Sequence, residues 1–89
     1  DVNKQKSMGF LVADCSASIQ NMLLAAHGIG LGAVWCGIYG SDNLVDKAKE
    51  VLNLPSYIVP IGLVVIGNKD AEKEPKNRYD ENKVHYNKW

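Results

Sequence analysis

Eighty-nine residues with ten basic and ten acidic side chains make an electrically balanced chain, which excludes a net field that would draw it to nucleic acid or an anionic membrane. A hydrophobic fraction of 46% and a charged fraction of 22% exclude disorder of the whole chain and fit one small domain. At this size only roughly 60–70% of the unfolded surface can be buried, so a single modest core is expected and a partner chain would add to it.

The chain opens with the polar run Asp1-Val2-Asn3-Lys4-Gln5-Lys6 and shows no signal-peptide pattern. It begins without Met, which is read as processing, a cut boundary or a piece of a longer product. Between Cys15 and Ser41 there is no Asp, Glu, Lys or Arg. A membrane span is not expected there, because the longest strictly apolar run, Met22 to Ala26, is far short of the ~20 residues a span needs. Gly28, Gly30 and Gly32 also interrupt the stretch.

Asp14 and Ser16 are candidate helix N-terminal residues, since their side-chain oxygens can accept from free backbone N–H groups. Ala17 to His27 then reads as a helix with a wide apolar surface, Ala17 and Leu24 on one face and Ile19, Met22, Leu23 and Ala26 on the next. Such a surface needs more than one neighbour. Gly28-Ile29-Gly30 ends the helix, because glycine takes the left-handed conformation after a helix without strain. Leu31 to Tyr39 reads as a strand, and Gly40-Ser41-Asp42 as a turn and second capping site. Leu44 to Leu52 is a short amphipathic helix with Leu44, Val45, Ala48, Val51 and Leu52 inward, closed by Asn53-Leu54-Pro55. Tyr57 to Ile66 is a nearly continuous apolar strand whose Pro60 and Gly62 predict an irregular start. Ala71 to Trp89 carries no periodicity and reads as an extended arm.

Cys15 and Cys36 lack a CxxC partner, which argues against a zinc knuckle or dithiol motif; two buried thiols in a cytosolic protein are expected, with a disulfide as the alternative. Gly28-Ile29-Gly30-Leu31-Gly32-Ala33 matches the dinucleotide-binding glycine pattern on paper. That fingerprint needs a strand before the glycines and a helix after, and here the order is reversed. The glycines are therefore read as a helix stop.

Four stretches carry a resemblance to a known family. Asp14 to Ala26 resembles the central helix of the nitroreductases. Gly30 to Tyr39, with Trp35-Cys36-Gly37-Ile38-Tyr39, resembles their helix-to-strand connection and flavin-side loop. Leu54-Pro55 followed by Val59 to Gly67 is similar to their last core strand, and Lys76-Asn77-Arg78 with His85 and Trp89 to their C-terminal arm. The resemblance implies an α+β chain, residues 1–89, forming the C-terminal half of an FMN-dependent nitroreductase domain: helix-strand-helix-strand, then an extended arm over 69–89. It also implies a cytoplasmic homodimer holding FMN at the subunit interface, with NAD(P)H as donor and nitroaromatics or quinones as acceptors, and no role for nucleic acid or membrane. By that resemblance Gly37, Ile38, Tyr39 and Gly40 pack against the flavin ring, a backbone N–H at Tyr39 or Gly40 donates to flavin N5, and Lys76 and Arg78 reach the phosphate.

A glycine at 37 lets backbone approach a flat ring, and an Arg fork with a Lys point charge suits phosphate oxygens. The redox chemistry is the flavin's, so no side chain is named as a catalytic acid or base and no metal is expected. The family's N-terminal, Arg- and Ser-rich segment has no counterpart, since Asp1 to Ala13 contains no arginine. The competing reading is a non-catalytic dimerising module with a vestigial flavin site, driven by the apolar helix Ala17–Gly28.

Overall fold

The computed structural model describes residues 2–89; Asp1, which opens the polar run, lies outside them. Helix α1 spans Val2–Gly28, strand β1 Gly32–Gly37, helix α2 Asp42–Val51, strand β2 Gly62–Gly67, and a 3-10 turn Glu81–Lys83. This is the expected α+β order of helix, strand, helix, strand and arm, with one clear correction. The first helix does not begin at Asp14 or Ser16; both lie in its interior. The reason is a stripe at four- and three-residue spacing, Met8, Val12, Cys15, Ile19, Leu23 and Ala26, all partly or fully buried. It extends the inward face well before Asp14, and tertiary contact along a stripe outweighs local capping preference.

At 27 residues α1 is about 40 Å long, close to the 43 and 42 Å of the two longer dimensions of the molecule. By length and composition it could also cross a membrane. The pattern of residues 15–41 alone does not reveal this, because the helix gains its length from the earlier turns. In this structure α1 packs on both strands.

The end of α1 follows the glycine reading closely. Gly30 adopts φ +85°, its N–H donates to the His27 carbonyl at 3.1 Å, and Leu31 N–H donates to the Ala26 carbonyl at 2.9 Å. These are the paired bonds of a Schellman stop. Helix α2 ends the same way with Asn53 in the glycine position: φ is 51°, and Asn53 and Leu54 donate to Glu50 and Lys49. Its start is capped by Ser41, whose Oγ accepts from Leu44 N–H at 3.4 Å.

The two strands pair antiparallel, Gly32 opposite Gly67 and Gly37 opposite Gly62. They are shorter than the apolar runs predict; Tyr57 to Ile61 and Ile38 to Tyr39 stay outside the ladder. Ala33, Trp35, Gly62, Val64 and Ile66 share one face and Val34, Cys36, Leu63 and Val65 the other, by strand alternation and the register. Helix α1 reaches the first face at Gly62, where an added Cβ would lie 2.8 Å from Ile19 Cδ1 and 2.9 Å from Trp35 Nε1. The irregular strand start expected at Pro60 and Gly62 is thus a point of close helix–sheet approach.

What the chain does not do is close a core. Among the described residues only Ile19 and Ala26 are buried, at 7% and 4% exposure. The radius of gyration is 17.1 Å, against roughly 12 Å for a compact domain of this length. Helix α2 has the predicted amphipathic period, yet its apolar face is only partly covered: Val45 and Ala48 are half-buried, whereas Leu44, Val51 and Leu52, expected inward, are exposed. It stands off the sheet across an open apolar cleft of about 270 Å³ lined by Ile38, Leu44, Ala48, Val51 and Leu63. Cys15 and Cys36 are free thiols, half-buried rather than buried as expected, because the faces around them are left open.

Because the Ile19 side chain and the Trp35 ring fill the space over Gly62, Gly62→Ala should lower stability by about 1–3 kcal/mol through overpacking. Gly67→Ala, where an added Cβ meets nothing within 4 Å, should change it far less. Urea unfolding followed by circular dichroism checks the pair; equal losses would contradict the packing described.

Candidate functional site

The segment after β1 is built as a backbone edge. Ile38 and Tyr39 N–H groups both donate to the Ile61 carbonyl, at 3.1 and 3.0 Å, which ties the turn to the residue just before β2. Gly40 follows at φ +101°, a conformation that side-chain-bearing residues rarely adopt, and Ser41 N–H then donates back to the Ile38 carbonyl at 3.4 Å. With the Tyr39 N–H engaged, the N–H of Gly40 is left without an acceptor among the described residues. At Gly37, the end of the ladder, an added Cβ would meet nothing within 4 Å, and φ is not positive. Neither packing nor backbone conformation within this chain calls for a glycine there.

A groove runs beside this edge. Its inner part, about 470 Å³, is lined by Val12 and Ser16 of α1 and by Trp35, Gly37, Tyr39 and Ile61. Its outer part, about 580 Å³, continues along the first turns of α1 past Lys4, Met8 and Gly9, and shares Val12 and Tyr39 with the inner one. The walls are mainly apolar and aromatic, with bare backbone on one side. Such a space suits a flat ring more than an extended polar chain.

Lys76 and Arg78 are not among the residues lining either part of it. Residues leading into the arm, Lys69 to Pro75, lie against Leu23, His27, Gly32 and Ala33, at the end of β1 away from Gly37. Six strand residues separate the two ends, about 16 Å. Both cations are exposed and have no hydrogen bond or ion pair among the described residues. Nor is the arm plainly extended here: the Asn77 side-chain oxygen accepts from Tyr79 N–H at 3.1 Å, a turn that bends the chain around Arg78. The structure therefore brings Gly37 and Tyr39 together with Val12, Ser16 and Trp35; Ile38 lines the cleft beside α2 instead, and Gly40, Lys76 and Arg78 are not among the residues lining either part of the groove. Sequence reasoning missed the contribution of α1 residues 4–16, because it placed most of them before the helix. The stripe from Met8 through Val12 is the signal that finds them.

Among the described residues no three His, Cys, Asp or Glu side chains cluster as a metal site. His85 and Trp89 stack with centroids 4.3 Å apart, near the chain end.

Several known proteins are similar to this chain. The sequence profile of the nitroreductase family matches residues 1–68, which include the turn and the groove but not Lys76 or Arg78. A Methanothermobacter thermautotrophicus protein described as an NADH dehydrogenase/NAD(P)H nitroreductase is 35% identical over 89 residues, all of this chain and 47% of its own length. A Bacteroides thetaiotaomicron structure with the same description superposes with a TM-score of 0.82 at 40% identity, covering 88% of this chain and 46% of that one. An FMN-dependent nitroreductase from Clostridium difficile gives 0.81 at 30% identity, covering 91% and 51%. The chain spans about half the length of the relatives it matches.

Since Gly40 sits at φ +101°, Gly40→Ala should cost about 1–2 kcal/mol from backbone strain alone. Thermal unfolding of the two proteins measures it, and an unchanged midpoint would show that the turn is not held in this conformation.

Proposed function

The chain belongs to the nitroreductase family, and from that premise we propose that it contributes one side of an FMN site in an NAD(P)H-dependent oxidoreductase of nitroreductase type. The observation that carries the reading is the Gly37–Gly40 edge: a glycine unexplained by local packing, an unpartnered Gly40 N–H, and an apolar groove alongside. The ring-facing residues fit a flavin. Of the two amides expected to donate to its N5, that of Gly40 is available and that of Tyr39 is already bonded to Ile61. FMN, when bound, supplies two-electron carriage between NAD(P)H and a nitroaromatic or quinone-like acceptor. This chain's own work is to hold the ring against bare backbone, to exclude water with Val12, Trp35 and Ile61, and to offer one N–H.

Neither Lys76 nor Arg78 is among the residues that line the groove of its own chain. Lys76 and Arg78 then belong to the partner copy of a homodimer, and unpaired guanidinium and ammonium groups are suited to that role. The homodimer reading has support in the uncovered surface. Phe10 and Leu24 on the outer side of α1 are 71% and 61% exposed, and apolar surface of that extent marks an interaction site. The same observation favours a second reading, a dimerising module with a vestigial flavin site. Free thiols at Cys15 and Cys36 suit the cytoplasmic, reducing setting of such a protein.

FMN titration followed by flavin absorbance separates the two readings. Saturable binding with shifted bands is expected of the flavin site, and a folded dimer that ignores FMN would leave only the dimerising module. If the arm holds the phosphate, Arg78→Ala should weaken binding by about 1.5–3 kcal/mol, the scale of charged hydrogen bonds. Unchanged affinity would place Arg78 on the surface with no part in the site.

A further inference from the structure

The outer groove has a chemistry distinct from the inner one. Its floor and sides are Met8, Gly9, Val12 and the Tyr39 ring, and Lys4 stands among the lining residues with Gln5 beside it. Lys4 is the charged residue of that lining, and it has no ion pair among the described residues. From Val2 to Ala13 the chain carries Lys4 and Lys6 and no acidic side chain. The nearest acid on the described helix, Asp14, is exposed and outside the lining. An apolar, aromatic-walled space with one ammonium group fits a planar ring bearing a single negative charge.

We propose that this outer groove selects anionic aromatic acceptors, nitroaromatic carboxylates being the model class, and that Lys4 is the residue that sets the preference. The groove meets the inner one at Val12 and Tyr39, so a ring lying in it would abut the edge where the flavin ring is placed. As a statement about substrate this rests on the flavin reading; as a statement about binding it does not. Lys4 touches the ligand's charged substituent and takes no part in electron transfer.

The test uses Trp35, which lines the inner groove, as a fluorescent reporter in the Trp89→Phe protein, where it is the remaining tryptophan of two. Nitroaromatic rings quench tryptophan on approach, so 4-nitrobenzoate and its neutral isostere 4-nitrobenzamide are titrated side by side at low salt. The carboxylate should bind about three- to fivefold more tightly, the scale of one solvent-exposed ion pair, and the gap should shrink in high salt. Lys4→Met should erase the gap and leave the amide's affinity unchanged, which also shows that the groove is still formed. Equal affinities in the parent protein, or a gap that survives Lys4→Met, would overturn the proposal. Repeating the titration with FMN, read separately at the flavin bands, keeps the two ideas apart. A Lys4-dependent preference without FMN binding defeats the flavin reading alone, and FMN binding without the preference defeats this one alone.

Discussion

The contact among Ile19, Gly62 and Trp35 is the constraint on which the rest depends. It is the place where the long helix comes down onto the sheet, and it is possible because residue 62 has no Cβ. From it follows the direction of β2 beneath α1, and from the antiparallel register the position of Gly37 directly opposite Gly62. Ile61, the residue before Gly62, then holds the turn through two backbone hydrogen bonds. The candidate flavin edge is therefore set by the same few residues that dock the helix. Any change that lifts α1 from Gly62 moves the groove wall and the turn together.

Around this point the molecule is open. Two of the described residues are buried, both faces of the two-stranded sheet carry exposed aliphatic groups, and α2 leans over an unfilled cleft. With so little apolar area removed from water, the hydrophobic term can hardly offset the conformational entropy of ordering the chain. The matched relatives are about twice as long. A fold of this kind gains its stability from whatever covers those faces, and the groove beside Gly37 gains its second wall in the same way. Stability and cofactor binding are expected to rise together as the faces are covered.

Much of this was legible in residue order. Both helix stops were visible, Gly28-Ile29-Gly30 because a left-handed position after a helix favours glycine and Asn53-Leu54-Pro55 because the residue before proline is turned out of the helix; that Asn53 itself takes the left-handed position is seen only in the structure. The α2 helix was visible in its period, and Ser41 in its place before it. The start of α1 was not visible, since Asp14 and Ser16 look like caps and the preceding polar run hides a sparse inward stripe. Strand lengths were overestimated because apolar runs continue past the hydrogen-bonded ladder. At the site, the turn residues 37–40 could be named from resemblance, but which amide stays free depends on the carbonyl of Ile61, a partner distant in sequence that no local pattern encodes. The bend at Asn77 is likewise a side-chain-to-backbone choice that an extended reading of the arm overlooks.

The direct measurement is an amide-resolved titration of the isotopically labelled chain with FMN. The Gly40 N–H resonance is expected to move saturably, with Gly37 shifting less and Tyr39, bonded to Ile61, less still. FMN that binds while leaving Gly40 unmoved, or that perturbs only the far end of β1 near Gly32, would contradict the placement of the flavin ring on this edge.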